Sequence, residues 1–85
     1  MAHENDQLAE EEKKIAIKLE LFMNKNIPVH ISKKNGWFMN GTIMGRESPH
    51  VFVIDERKYG ISHVFVADVI DVRELEFFKD KKVRR

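Results

Sequence analysis

Ile27-Pro28-Val29-His30-Ile31-Ser32-Lys33-Lys34-Asn35-Gly36-Trp37-Phe38-Met39-Asn40-Gly41-Thr42-Ile43 is the stretch that decides the fold. Ile27, Val29 and Ile31 alternate with Pro28, His30 and Ser32, the period of two that marks a half-buried strand. The proline sits near its start, where a missing N–H is tolerated. Asn35-Gly36 predicts a hairpin through a type I′ turn, whose two central residues both need positive φ. Past the turn, Trp37, Met39, Gly41, Ile43 and Gly45 alternate with Phe38, Asn40, Thr42, Met44 and Arg46. Glycines inside a strand mark bends or bulges, so Gly41 and Gly45 predict strong curvature.

Downstream, Glu47-Ser48-Pro49 reads as a turn, and Val51 to Ile54 is a continuous apolar run, as in a central strand covered on both faces. Asp55 to Gly60 reads as a charged hairpin. Ile61 to Val66 forms a fourth strand, the Ala67-Asp68 corner follows, and Val69 to Val72 forms a fifth. Upstream, Leu8, Ile15, Leu19 and Phe22 fall on one helical stripe over residues 7–24. Ile15, Ile17, Leu19 and Leu21 also alternate with Ala16, Lys18 and Glu20, as a strand would. The Ala, Lys, Glu and Leu content favours the helix. Asn5 or Asp6 is its expected cap, the acidic cluster after it suits the positive end of the helix dipole, and Asn24, Asn26 and Pro28 end it. The fold class is therefore mainly β with an N-terminal α-helix: a five-stranded, strongly bent antiparallel barrel of SH3-like size.

The chain has 85 residues, 42% hydrophobic and 34% charged, with no cysteine. That length holds one domain, expected as a polar, disordered segment 1–6, a folded unit 7–73 and a basic tail 74–85. A domain this small buries only about 60–65% of its unfolded surface. Without cysteine, disulfides and thiolate metal sites are excluded, which leaves oligomerisation as the expected extra source of stability. The net charge of +1, from 15 Lys plus Arg against 14 Asp plus Glu, argues against binding by bulk electrostatics. The charge is segregated, acidic over the first fourteen residues and basic over the last seven. No apolar run approaches the ~18 residues of a membrane span, and no hydrophobic signal region follows the polar start, so a soluble, cytoplasmic protein without a membrane partner is expected.

From Leu19 to Val72 the chain resembles the Sm-like (LSm) proteins and, among them, the bacterial Hfq type. The likeness is carried by the helix running into Ile27-Pro28-Val29-x-Ile31, by Asn35-Gly36, Gly41-x-Ile43 and Val51-Phe52-Val53-Ile54-Asp55, and by Val64-Phe65-Val66-Ala67-Asp68-Val69. The resemblance implies a ring of six or seven copies that binds single-stranded RNA, A-rich or U-rich, as an RNA chaperone or post-transcriptional regulator. It implies that the fourth strand of one subunit pairs with the fifth of the next, through Val64, Phe65, Val66, Val69, Ile70 and Val72. Ring closure would also remove the open strand edges that template aggregation.

The resemblance also assigns RNA contacts. Ser32 stands where the family has a tyrosine, Asn40 keeps an amide where the family reads adenine, and His50 stands, after one inserted residue, where an aromatic stacks on a base. Met23, Asn24 and Lys25 take the place of the arginine rim. Where the family carries Tyr-Lys-His at the pore, this chain reads Phe65, Val66 and Ala67. That replacement supports a second class of function, a ring that keeps the fold and serves as a structural or protein-interaction module. A monomeric barrel that docks a peptide is a third.

Among individual residues, Trp37 and Phe38 point to opposite strand faces, so at most one enters the core. One reading puts Trp37 in the core and Phe38 in a subunit contact. The other makes Phe38 a stacking platform beside Lys33, Lys34 and Asn40. With Lys25, Ser32 and His50, these residues form the expected RNA-binding set. His3, His30, His50 and His63 match no metal-ligand spacing, and no cofactor is expected. Lys79, Lys81, Lys82, Arg84 and Arg85 read either as phosphate contacts or as a solubilising end. No phosphate loop, cysteine nucleophile or serine motif is present, so no enzymatic activity is expected.

Overall fold

The structure, a computed structural model, describes residues 7–75. The expectations for segment 1–6, for caps at Asn5 or Asp6 and for the basic tail beyond Leu75 lie outside the described residues. Helix α1 spans Glu10–Lys25, starting later than the expected residue 7. Ala9 is its N-cap, and its N–H donates to the Glu12 carboxylate at 3.1 Å, one half of a capping box. Glu10, Glu11 and Glu12 occupy the positive end of the helix dipole. Asn26 ends the helix in the left-handed conformation at φ 57°, with its N–H on the Met23 carbonyl. Ala16 and Leu19 are buried and Ile15, Phe22 and Met23 pack against the core, whereas Ile17 and Leu21 are exposed. The helical stripe, not the alternating one, is the one that packs.

Five strands follow: β1 (Val29–Lys33), β2 (Phe38–Ser48), β3 (Val51–Asp55), β4 (Ile61–Phe65) and β5 (Val69–Glu74). All pairings are antiparallel, in the order β4-β3-β2-β1-β5. That order makes the sheet bend. β4 and β5 are its two edges, and in a flat sheet they would stand about 19 Å apart. Only the 3₁₀ turn Val66–Asp68 joins Phe65 to Val69, and four residue steps reach at most about 14 Å. The sheet therefore has to curl until its edges approach. Register shifts between Ile43 and Gly45 and between Arg46 and Ser48 take up the curvature in β2.

The hairpin between β1 and β2 is real, but its turn is not type I′. Gly36 N–H donates to the Lys33 carbonyl and Lys33 N–H to the Trp37 carbonyl, and of Asn35 and Gly36 only Gly36, at φ 92°, has positive φ. This is a three-residue loop closed by a left-handed glycine. Asn35 contributes its side chain instead, accepting from Trp37 N–H at 2.9 Å.

The core is built from Leu8, Ala16 and Leu19 on one side, from Val29, Ile31, Met39, Ile43, Phe52, Ile54, Val64, Val69 and Val72 of the sheet, and from Val66 of the 3₁₀ turn. Two expectations are corrected here. Trp37 is not in the core: it has the inward parity of Met39 but precedes the first paired residue, beyond the end of the barrel, and is 72% exposed. Strand β3 is not covered on both faces, since Phe52 and Ile54 are buried while Val51 and Val53 are half-buried. The expected interface set divides as well. Val64, Val66, Val69 and Val72 point into this chain's own core, and Phe65 and Ile70 face outward. Strand β5 continues past Val72 to Glu74, and Leu75 N–H still bonds the Pro28 carbonyl. Among the described residues no helix is long and apolar enough to cross a membrane.

Candidate nucleic-acid interface

Strand alternation sends Val29, Ile31, Met39, Gly41 and Ile43 inward, so the intervening residues of β1 and β2 form the outer face. The register sets Ser32 opposite Phe38 and His30 opposite Asn40. The His30 and Phe38 rings lie 5.1 Å apart between centroids, tilted by 31°. His30 Nδ1 is 2.6 Å from Asn40 Oδ1. An amide oxygen only accepts, so His30 Nδ1 carries the proton and donates. This bond does not use the Asn40 NH₂, whose two donors stay free of it. On the other side of β1, Arg73 of β5 stands opposite His30. The result is an aromatic, amide and cationic strip.

A cleft of about 530 Å³ opens beside this strip, between β2 and the β3–β4 loop. Phe38, Asn40 and Thr42 line one wall, and Glu56, Arg57, Lys58 and Tyr59 line the other, with Gly41 between. Phe38 is 60% and Tyr59 78% exposed. Gly41 explains how the walls come together. A Cβ at that position would overlap the carbonyl of Asp55 and crowd the backbone of Glu56, so only glycine lets β2 approach the end of β3. A smaller depression near the hairpin tip is lined by Lys33, Asn35, Trp37, Phe38 and Glu56, among others.

The sequence-predicted residues separate into groups. Ser32, Phe38 and Asn40 share the outer strip, and Lys33 joins Phe38 at the hairpin-tip depression. Lys34 lines a different hollow, with the helix residues Glu11, Glu12 and Lys14 and with Val69 and Ile70. Lys25 is the exposed last residue of α1, and His50 is exposed at the β2–β3 turn, where its N–H donates to Ser48 Oγ and its carbonyl accepts from Val66. Neither lines a cleft with Phe38. Beside Ser32, Phe38 and Asn40 stand His30, weighed in the sequence only as a metal ligand, and Arg57, Lys58, Tyr59 and Arg73, which the sequence did not single out. A tyrosine flanked by Arg-Lys and glycine in a turn was the available signal, and it was absorbed into a charged hairpin.

No protein-family model matches the chain, and no curated protein sequence does. Solved structures do. One described as the pleiotropic translational regulator Hfq superposes with a TM-score of 0.61 at 17% identity, covering 81% of this chain and 100% of the other. An Hfq protein from Anabaena sp. gives 0.57 at 15% identity over 71% of this chain and 93% of its own. The fold is Sm-like, of the Hfq type. XC5848 from Xanthomonas campestris, described as adopting a novel variant of the Sm-like motif, gives 0.59 at 13% identity over 80% of this chain and 89% of its own. The helix and bent five-stranded sheet thus agree with the architecture that the resemblance implied, although few side chains are shared.

Proposed function

We propose that the chain is a subunit of a homo-oligomeric Sm-like ring, a hexamer or heptamer, that binds single-stranded A-rich or U-rich RNA in the cytoplasm as an RNA chaperone or post-transcriptional regulator. The observation that carries this reading is the outer strip of β1 and β2, where Phe38 stays exposed beside the His30–Asn40 pair. An exposed aromatic and an amide side by side on one strand face are the two groups by which proteins stack on and hydrogen-bond an unstacked base. Ser32, Phe38, Asn40 and His50 contact bases in this reading, and Lys25, Lys33 and Lys34 hold phosphates. Ring assembly is supported by the two edge strands, β4 and β5, whose outward residues include Ile61, Phe65 and Ile70. One of the fold neighbours is named a translational regulator, which agrees with the proposed role.

The test combines native mass spectrometry with fluorescence anisotropy on short labelled RNAs at low salt. A multiple of the 10.0 kDa chain mass and saturable binding are expected. Binding no tighter than that of an unrelated near-neutral protein would remove the RNA role. The second reading, a ring serving protein interaction, draws on Phe65, Val66 and Ala67 at the positions of the family's pore motif, with Val66 buried. Nucleic acid copurifying with the ring, seen as raised absorbance at 260 nm, argues for the first reading over the second.

A further inference from the structure

The geometry points to the cleft between β2 and the β3–β4 loop as a nucleotide site, in which one base lies against Phe38 and Tyr59 and an adjacent phosphate is held by Arg57 and Lys58. This rests on the RNA reading above and adds to it a second wall, supplied by Glu56, Arg57, Lys58 and Tyr59. The cleft's volume, about 530 Å³, falls within the range of small-ligand sites. Its two aromatics belong to different elements and are both largely exposed, so neither serves the core. Among the described residues, the Arg57 guanidinium and the Lys58 ammonium make no hydrogen bond or ion pair. Two free cations beside two largely exposed rings, one of them backed by His30, match a nucleotide, which presents a π-face and a phosphate a few ångströms apart. Glu56 in the same wall is an acceptor for base N–H groups, and the Asn40 NH₂ is a donor.

The loop is held in shape for this purpose at a cost. Arg57 adopts φ 60°, a left-handed conformation that disfavours any residue with a Cβ. The Asp55 carboxylate fixes it by accepting Arg57 N–H at 2.9 Å, and Glu56 N–H closes the loop onto the Gly60 carbonyl at 2.8 Å. Strain of this kind persists where surrounding structure enforces it, and it concentrates at ligand clamps.

The test measures anisotropy of 5′-fluorescein-labelled hexa-adenylate and hexa-uridylate with the full chain across a salt series. Tyr59→Ala is expected to weaken binding of at least one RNA by about fivefold to a hundredfold, the range for loss of one base–aromatic stack, and Tyr59→Phe to recover it. Lys58→Ala is expected to flatten the log–log salt dependence by about 0.7, one phosphate contact on a single strand. Both side chains are exposed, so unchanged melting by circular dichroism is the control for folding. Wild-type behaviour of Tyr59→Ala and Lys58→Ala, alongside weakened binding by Phe38→Ala, overturns the loop site and leaves the RNA reading standing. Failure of the wild-type chain to bind either RNA overturns both.

Discussion

The Arg46 guanidinium donates to the Glu20 carboxylate at 2.6 Å, fastening helix α1 to strand β2. The Arg46 side chain is only 5% exposed, lies 4.8 Å over the Phe52 ring, and also donates to the Ser48 and Pro49 carbonyls. A guanidinium this buried is tolerable only when its charge and N–H groups are met. Here they knit together three things: the helix, the core and the turn that carries His50. Glu20→Ala is expected to cost about 1–3 kcal/mol, since it removes a charge-assisted hydrogen bond from a buried guanidinium. Arg46→Ala is expected to cost about 3 kcal/mol, because the cover on Phe52 and the turn's tethers go with it. Urea midpoints compared at constant m check both, and unchanged midpoints would show that the bridge contributes nothing.

Gly41→Ala places a methyl group against the Asp55 backbone, which has no flexible end to move aside. The expected loss is about 1–3 kcal/mol, the usual cost of overpacking. Because Gly41 also separates the two cleft walls, the same variant is expected to weaken RNA binding through Tyr59 and Arg57. A Gly41→Ala protein as stable as the wild type in thermal melts would contradict the close approach.

Exposure makes the two hairpin aromatics cheap to remove. Trp37→Ala and Phe38→Ala are each expected to change stability by about 0.5 kcal/mol or less, where a core aromatic would cost about 3–5 kcal/mol. Phe38→Ala is expected to lower RNA affinity about fivefold to a hundredfold at unchanged stability. Chemical denaturation and anisotropy on the same samples separate the two effects. A large stability loss in Trp37→Ala would put that indole back in a packed site.

Lys18 donates to the Asp71 carboxylate at 2.9 Å, tying α1 to β5, and this bond holds the Asp71 carboxyl below the ordinary range. The Val72 N–H and the Lys18 and Arg73 charges add to that effect, while burial acts against it. An acid whose pKa is lower folded than unfolded stabilises the fold above its unfolded value, near pH 4, and loses that contribution as pH falls through the folded value. Both partners are exposed, so the contribution is at most about 1 kcal/mol and fades with salt. Melting temperature between pH 2 and pH 6, in roughly these limits, should fall more steeply for wild type than for Asp71→Asn at low salt. Parallel curves would count against the bridge.

Phe65 and Ile70 are the outward apolar residues flanking the corner between β4 and β5. Charging either, as in Phe65→Asp or Ile70→Asp, is expected to shift light-scattering mass toward the single 10.0 kDa chain while the circular dichroism spectrum stays unchanged. Mass unaffected by both changes would place any subunit contact elsewhere.

The β1–β2 hairpin, the curvature at the glycines and the helix preceding them were legible because each depends on neighbours in sequence. Apolar parity predicts which face is inward, and Gly36 or Asn26 marks where the backbone turns left-handed. Trp37 shows where that logic stops. Its parity was correct, but parity says nothing about where the partner layer ends. Tyr59 shows the same limit for function, since a turn residue gains a role only from what stands across the cleft.

What the sequence determined by itself is the set of elements, their order and the inward face of the helix, β1 and β2, fixed by periods of two and 3.6 and by local turn chemistry. Only the tertiary structure decided that β5 returns to pair with β1, that Arg46 is buried, and that Phe38 and Tyr59 face a common cleft. The physical reason is that strand order and curl come from closing the chain over long separations, with three residues bridging opposite sheet edges. That closure depends on how far the backbone between Phe65 and Val69 can reach, which no local pattern records.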